Sequence, residues 1–165
     1  MSRNICICVD ESKASVRAIE WAIENVVRSG DSVTLLHVVP LEKYVVMSTD
    51  LGELVDEGED NRHKVEAREN VFVERDLVPL LAANNIPVKI EAIKANSGEV
   101  GEGISRFARA NSPAMLVLSR HDSHHGTAGA IRSIFAAATG GSHGSASDYC
   151  LSHCRTPIVV LHLDN

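Results

Sequence analysis

Three short segments of this 165-residue chain carry groups suited to holding a ligand. Val9-Asp10-Glu11-Ser12 follows an apolar run, and a carboxylate at that point can accept hydrogen bonds from a base amine or a sugar hydroxyl. Asp10 can equally do no more than help Ser12 cap a helix, and the local pattern leaves both readings open. Val38, just ahead of Pro40, closes a second apolar run where exposed backbone can read the edge of a heterocyclic base. Gly144-Ser145-Ala146-Ser147 opens the last helix. Free N–H groups and the helix dipole draw phosphate to such a start, glycine permits close approach, and the Ser145 hydroxyl adds a donor. The run Ser145-Ala146-Ser147-Asp148 is also a capping arrangement that needs no ligand.

The stretch from Ser119 to His143 holds four of the eight histidines, His121, His124, His125 and His143. Arg120, His121, His124 and His125 could serve as phosphate donors, or His124, His125 and His143 could join Asp122 around a metal. No standard ligand spacing is present, so a solvated loop is expected and no metal. Cys150 and Cys154, one helical turn apart, read as small packing residues rather than redox sensors, and Trp21 and Tyr149 as packing residues. The chain has no Gly-x-x-x-x-Gly-Lys-Ser loop, no carboxylate pair placed for two metal ions, and no nucleophile with a base nearby in sequence. Binding rather than turnover is the expectation.

Composition narrows the field further. Twenty-two acidic residues against 16 basic ones give a formal charge of -6, with no basic cluster to offset it. Nucleic acid is therefore excluded as an expected partner, and with 4% aromatic residues the stacking platforms of single-strand binders are missing too. Cys6 and Cys8 alternate in an apolar run and point to one side of a strand, where they cannot close an undistorted disulfide. Reduced thiols in a cytoplasmic setting are expected. Met1-Ser2-Arg3-Asn4 leads straight into the first strand, and no run has the length of a signal region or membrane span.

These segments need elements to position them. Residues 5–9 and 33–39 are continuous apolar runs, as buried strands require, and between them Val16, Ile19, Ile23, Val26 and Val27 recur at helical spacing. Ser12 is placed to cap that helix, and Gly30 with Asp31 to end it. Residues 41–61 turn acidic and aperiodic, a variable surface excursion. A helix is expected over 62–84, with Asn85 and Pro87 at its exit, and then an edge-like strand over 88–95 with one wetter face. A helix opened by Ser97-Gly98-Glu99 runs to about Asn111. A fourth strand occupies 115–118, and a helix over 145–153 leads through Pro157 to a fifth strand over 158–163. Apolar strands alternating with amphipathic helices specify an α/β fold with an open parallel sheet covered on both faces, in a single domain over 1–165. Ligands bind such sheets beyond the carboxyl ends of the strands.

Taken together, Val9-Asp10-x-Ser12, Leu35-Leu36-His37-Val38 and the stretch from Gly144-Ser through Ser-Asp-Tyr-Cys150 and His-Cys to Pro157-Ile-Val-Val160 resemble the universal stress protein family. The resemblance spans nearly the whole chain and is nearest to plant or algal members. It implies a Rossmann-like, adenine nucleotide alpha hydrolase-like sheet of five parallel strands in order 3-2-1-4-5. It also implies a homodimer and, in one branch, bound ATP or AMP, with magnesium able to accompany ATP. The nucleotide residues it suggests here are Val9, Asp10, Ser12, Val38, Ser119, Arg120, Gly126, Gly129, Gly144, Ser145, Ala146 and Ser147. The ATP-binding branch carries Gly-x-x-Gly, nine residues, then Gly-Ser or Gly-Thr. Here the two glycine positions fall on Ser119 and Asp122, and 21 residues separate Asp122 from Gly144. Gly126 and Gly129 restore the first spacing, with 14 residues before Gly144. Either the 119–143 loop is an insertion that still delivers Gly144-Ser145 to the phosphates, or the cradle has been lost.

The expected function is that of an adenine-nucleotide-binding regulator of the stress response with at most weak ATPase activity. The alternative is a nucleotide-free dimer that engages partners through its variable loops. A flavoprotein or nucleotidyl transferase sharing the sheet is a third reading. Ile158, Val160 and Leu161 make the fifth strand more apolar than an exposed edge should be, so it is expected to pair with its own copy.

Overall fold

The computed structural model describes residues 2–40, 45–47, 54–56, 71–120 and 146–162. In chain order the elements are β1 (Asn4–Val9), α1 (Lys13–Asn25), β2 (Ser32–Pro40), β3 (Val45–Met47) and β4 (Leu54–Asp56). A π-helical turn at Val73–Leu77 then runs into the α-helical segment Val78–Ala82, together α2. β5 (Val88–Ala95) follows, with a 3-10 turn at Ser97–Glu99 leading into α3 (Val100–Asn111). β6 (Met115–Arg120), α4 (Ala146–His153) and β7 (Ile158–His162) complete it. Five strands form one parallel sheet in the order β5-β2-β1-β6-β7, which is 3-2-1-4-5 counted among the sheet's own strands.

Parallel strands require crossovers, and the crossover helices cover both faces of the sheet. Strand alternation sorts the apolar side chains accordingly. Ile5, Ile7 and Val9 of β1 join Val33, Leu35 and Val117 on one face, where Ala18, Ile19 and Ala22 of α1 and Val73, Leu77 and Leu81 of α2 close over them. Cys6 meets Leu36, Leu116 and Leu118 on the other, under Ile104 and Ala108 of α3 and Cys150 of α4. Each fully buried Leu or Ile contributes on the order of 2 kcal/mol. The four cysteines are free thiols. Among the described residues no helix is long and apolar enough to cross a membrane.

Several local expectations change. The 41–61 segment is not wholly aperiodic, because Val45–Met47 pairs antiparallel with Leu54–Asp56. β6 runs two residues beyond Leu118, since Ser119 and Arg120 still pair with Leu161 and His162. β2 ends at Pro40, which lies opposite Ala95 on the neighbouring strand. β5 is an edge strand, but its wetter side changes along its length: Glu91 is half-buried while Ala92 is exposed. The switch follows from what covers it. Val88 and Ile90 pack toward α2, whereas Ile93 and Ala95 lie beneath Gly103 of α3. The described part of the expected 62–84 helix ends as anticipated, with Asn85 in the left-handed region at φ 55 before Pro87. The π-helical turn within it precedes Pro79, which has no N–H for the carbonyl four residues back.

At the amino ends of the strands Asp31 fixes the entry to the sheet. Its carboxylate accepts from the guanidinium of Arg3, whose Nε lies 3.1 Å from Oδ1, and from the Arg28 amide at 2.9 Å. The Arg3 hydrogen bond holds the Asp31 pKa down at about 2, against the opposing effect of desolvation. Arg3 also donates to the Val26 carbonyl at 3.1 Å, tying the end of α1 to the same corner.

α3 and α4 approach most closely at Gly101. A Cβ there would stand 2.6 Å from the Tyr149 Cβ and 3.1 Å from the Ala146 carbonyl oxygen, so only glycine fits without moving α4. Gly101→Ala is therefore expected to destabilise the protein by about 1–3 kcal/mol through overpacking, read as a lowered urea midpoint with an unchanged m-value. An unchanged midpoint would show that α4 is not held at this contact.

Candidate functional site

In this topology the chain leaves β1 toward the face covered by α1 and α2, and arrives at β6 from the face covered by α3 and α4. The connections therefore diverge between β1 and β6. The carboxyl ends of those two strands flank the crevice where ligands bind open α/β sheets. Asp10 stands directly after β1, and Ser119 and Arg120 end β6 beside it in the sheet. Val38 lies two residues before the carboxyl end of β2, paired with Ile93.

The Asp10 corner is built by hydrogen bonds to the start of α1. Oδ1 accepts from the Ser12 amide at 3.1 Å, from the Ser12 hydroxyl, and from the Ser15 hydroxyl at 2.8 Å. The Asp10 amide in turn donates to the Ser15 Oγ at 2.8 Å. Ser12 occupies the N-cap position with extended backbone, φ -108 and ψ 158, yet its side chain makes no cap hydrogen bond. The expected Ser12 side-chain cap is thus absent: the hydroxyl is turned back to Asp10, whose carboxylate also takes the Ser12 amide, while the Ser15 amide donates to the Ser12 carbonyl at 3.1 Å. A carboxylate beside the amino end of a helix is favoured by the dipole as well. Val9, immediately before it, is buried with 5% of its surface exposed. Its carbonyl lies 3.3 Å from Nδ1 of the buried His37, directly across the sheet.

The described structure realises the helix-start role of Asp10, and the same contacts leave a fixed carboxylate at the mouth of the crevice. Sequence reading missed the central part of Ser15, which is fully buried and holds both the amide and the carboxylate of Asp10. Its signal was available: a serine five residues after Asp10 falls in the first turn of α1, where a hydroxyl can reach back.

The expected phosphate side is described only at its edges. Gly126, Gly129, Gly144, Ser145, Asp122 and the histidines at 121, 124, 125 and 143 lie outside the described residues. Of that side, Ala146 begins α4 half-buried and Ser147 is buried in the first turn. Ser119 is half-buried at the end of β6. Among the described residues no group of histidines, cysteines and carboxylates is arranged to hold a metal.

The cysteines meet on the α3–α4 face rather than at the crevice. Cys6 and Cys150 are buried in that core, with Cys8 and Cys154 packed against it. Burial, reinforced by Cys154, pushes the Cys150 thiol up to about 12. The Cys6 hydrogen bond and burial raise Cys8 well above the ordinary thiol range. Both stay protonated at neutral pH, which makes them packing groups rather than nucleophiles. A cavity of about 650 Å³ opens at the opposite end of the sheet, between α3 and residues 153–157. It shares no described residue with the Asp10 corner.

Four likenesses to known proteins bear on this arrangement. Residues 1–162 match the model of the universal stress protein family. Universal stress protein PHOS32 of Arabidopsis thaliana is 30% identical over 168 residues, covering 96% of this chain, which spans 64% of that relative's length. A solved Arabidopsis thaliana universal stress protein with AMP bound superposes with a TM-score of 0.58 at 17% identity, over 98% of this chain and 92% of that one. A universal stress protein solved in complex with cAMP gives 0.59 at 12% identity, over 98% and 97%. At those identities the two solved structures establish likeness of fold.

Ser15→Ala should remove the two hydrogen bonds that Ser15 makes to Asp10 and leave the part-buried Asp10 amide without that acceptor. A loss of about 1–3 kcal/mol is expected, with the amide resonances of Asp10 and Ser12 the most shifted in the variant. Resonances that stay in place would mean that Ser12 alone holds the corner.

Proposed function

The chain belongs to the universal stress protein family, and from that membership we propose that it is an adenine-nucleotide-binding regulatory protein of the stress response that binds rather than turns over its ligand. The observation that carries the proposal is the Asp10 carboxylate, fixed through Ser12 and Ser15 at the crevice between β1 and β6. In this reading Asp10 meets the ribose or the base amine, backbone near Val9 and Val38 meets the adenine edge, and the α4 start from Gly144-Ser145 to Ser147 meets the phosphates. Ser119, Arg120, Gly126 and Gly129 belong to the same phosphate side, and magnesium would accompany ATP. The AMP and cAMP bound to the solved neighbours support the ligand class. A pre-ordered carboxylate supports affinity, because little side-chain entropy is lost when the ligand arrives.

Isothermal titration with AMP and with ATP, with and without magnesium, tests this directly. Saturable binding should weaken by tenfold or more in Asp10→Ala, and phosphate release should stay negligible over hours. Protein that takes up neither nucleotide, and whose Tm neither raises, would favour the nucleotide-free interaction protein instead. Rapid phosphate release would make it an enzyme.

The same membership leads us to propose a homodimer through β7. Among the described residues β7 pairs only with β6, and Ile158, Val159 and Val160 on it are merely half-buried although apolar. An antiparallel partner strand would satisfy the open edge and cover that row. Val160→Lys should sediment as a monomer; a variant that sediments as wild type does would refute this interface.

A further inference from the structure

α3 and α4 touch at Gly101 and Tyr149, yet one to two turns further along α3 they enclose the cavity of about 650 Å³ noted above. Its walls come from α3 beyond Ser105 and from the 153–157 segment that leads into β7, so it sits at the amino ends of β6 and β7. That volume suits a small molecule rather than a peptide chain.

Three of the polar side chains lining it lack partners among the described residues. Ser105 is buried with 5% of its surface exposed, and its hydroxyl has no hydrogen-bond partner among the described residues. Buried polar groups are rarely left in that state. Arg109 and Arg155 are both exposed, and neither has a carboxylate within ion-pair distance among the described residues. Elsewhere Arg3, Arg75 and Arg106 each hold an acidic partner, in Asp31, Asp76 and Glu102. Among the described residues no acidic side chain lines this cavity, in a chain whose formal charge is -6. His153 also lines it, with its ring stacked on Tyr149 at 4.0 Å and Nδ1 hydrogen-bonded to the Tyr149 carbonyl at 2.9 Å.

A purely structural role for the two arginines must be weighed first, because α3 and α4 both end here and cations favour helix carboxyl termini. Each terminus carries about half a negative charge. Together they offset only about one of the two positive charges, so the cavity stays cationic. We infer that it binds a small organic phosphate, with Arg109 and Arg155 supplying charge and donors, Ser105 an internal donor, and Pro157 part of an apolar wall. Two guanidinium groups and a hydroxyl offer more donors than a carboxylate has lone pairs to accept, and match a tetrahedral phosphate better. This site is separate from the nucleotide crevice, at the other end of the sheet.

Cys154 lines the cavity and is the half-buried thiol there, so it reports occupancy. The probe is phenyl phosphate at millimolar concentration, with benzoate as the carboxylate control. The readouts are site-resolved mass spectrometry of Cys154 alkylation by iodoacetamide and the amide shifts of Ser105 and Arg155. Phenyl phosphate is expected to slow alkylation severalfold and move those amides, and Arg109→Gln with Arg155→Gln to abolish both effects. Ser105→Ala should weaken the probe about tenfold without lowering Tm, since the hydroxyl it removes has no partner to lose. Asp10→Ala should leave the protection intact, which separates this site from the nucleotide reading. Unmoved amides, protection that survives in the double glutamine variant, equal protection by benzoate, or protection lost in Asp10→Ala would each overturn the inference.

Discussion

β1 is hydrogen-bonded along both edges, to β2 through six registered residue pairs and to β6 through three. Parallel pairing on both sides means that the chain must leave β1 and later return beside it by separate crossovers, each supplying a helix. The side chains of β1 alternate, so Ile5, Ile7 and Val9 face one helical layer and Cys6 the other. A one-residue slip of this strand would exchange the two sets and place Cys6 and Cys8 under α1, where the space is shaped for Ile and Val. The topological divergence beside β1, and hence the position of Asp10, follows from the same register.

At that divergence a carboxylate is held by the start of a helix, and the nucleotide proposal asks a second kind of work of the same group. Asp10 takes the amide and hydroxyl of Ser12 and the hydroxyl of Ser15, so α1 begins at a fixed angle from β1. Because the carboxylate is held from the helix side, it needs no ligand to stay in place. The buried His37 beneath Val9 supports the corner from β2. The helix-start aspartate seen here and the ligand-binding aspartate of the proposal would thus be the same group seen from two sides. The sequence alone could not choose between them, since each role asks for an acid just after an apolar strand.

Legibility in the sequence tracks how far an interaction reaches along the chain. The strands and helices that build the sheet were readable from periodicity, because the burial of β1, α1, β2 and β6 is a property of each run by itself. Strand order was not, and came from the resemblance carried by Val9-Asp10-x-Ser12 and the segment running to Val160. The change of wet side along β5 was hidden because it depends on where α2 stops covering the strand and α3 begins. The pairing of residues 45–47 with 54–56 escaped notice because three-residue strands are too short to show a period. Ser105, Arg109 and Arg155 were overlooked for the same kind of reason: they lie in separate elements and become neighbours only through the packing of α3 beside α4.

α4 is the element that both ends of the sheet share. Its first residue, Ala146, lies toward the carboxyl ends of the strands, and its last, His153, borders the amino-end cavity. A short helix with a proposed site at each end invites the idea that one site signals to the other by sliding it. The contact at Gly101 argues against sliding, since the Tyr149 Cβ already sits where no side chain would fit and the buried Cys150 thiol reaches the Gly101 carbonyl at 3.6 Å. Coupling requires an element with two packed arrangements. α4 is instead pinned between its ends, with close packing on α3 that admits no second register without separating the helices. Two ligands, one at each end, would then meet the same rigid helix and bind with little effect on each other.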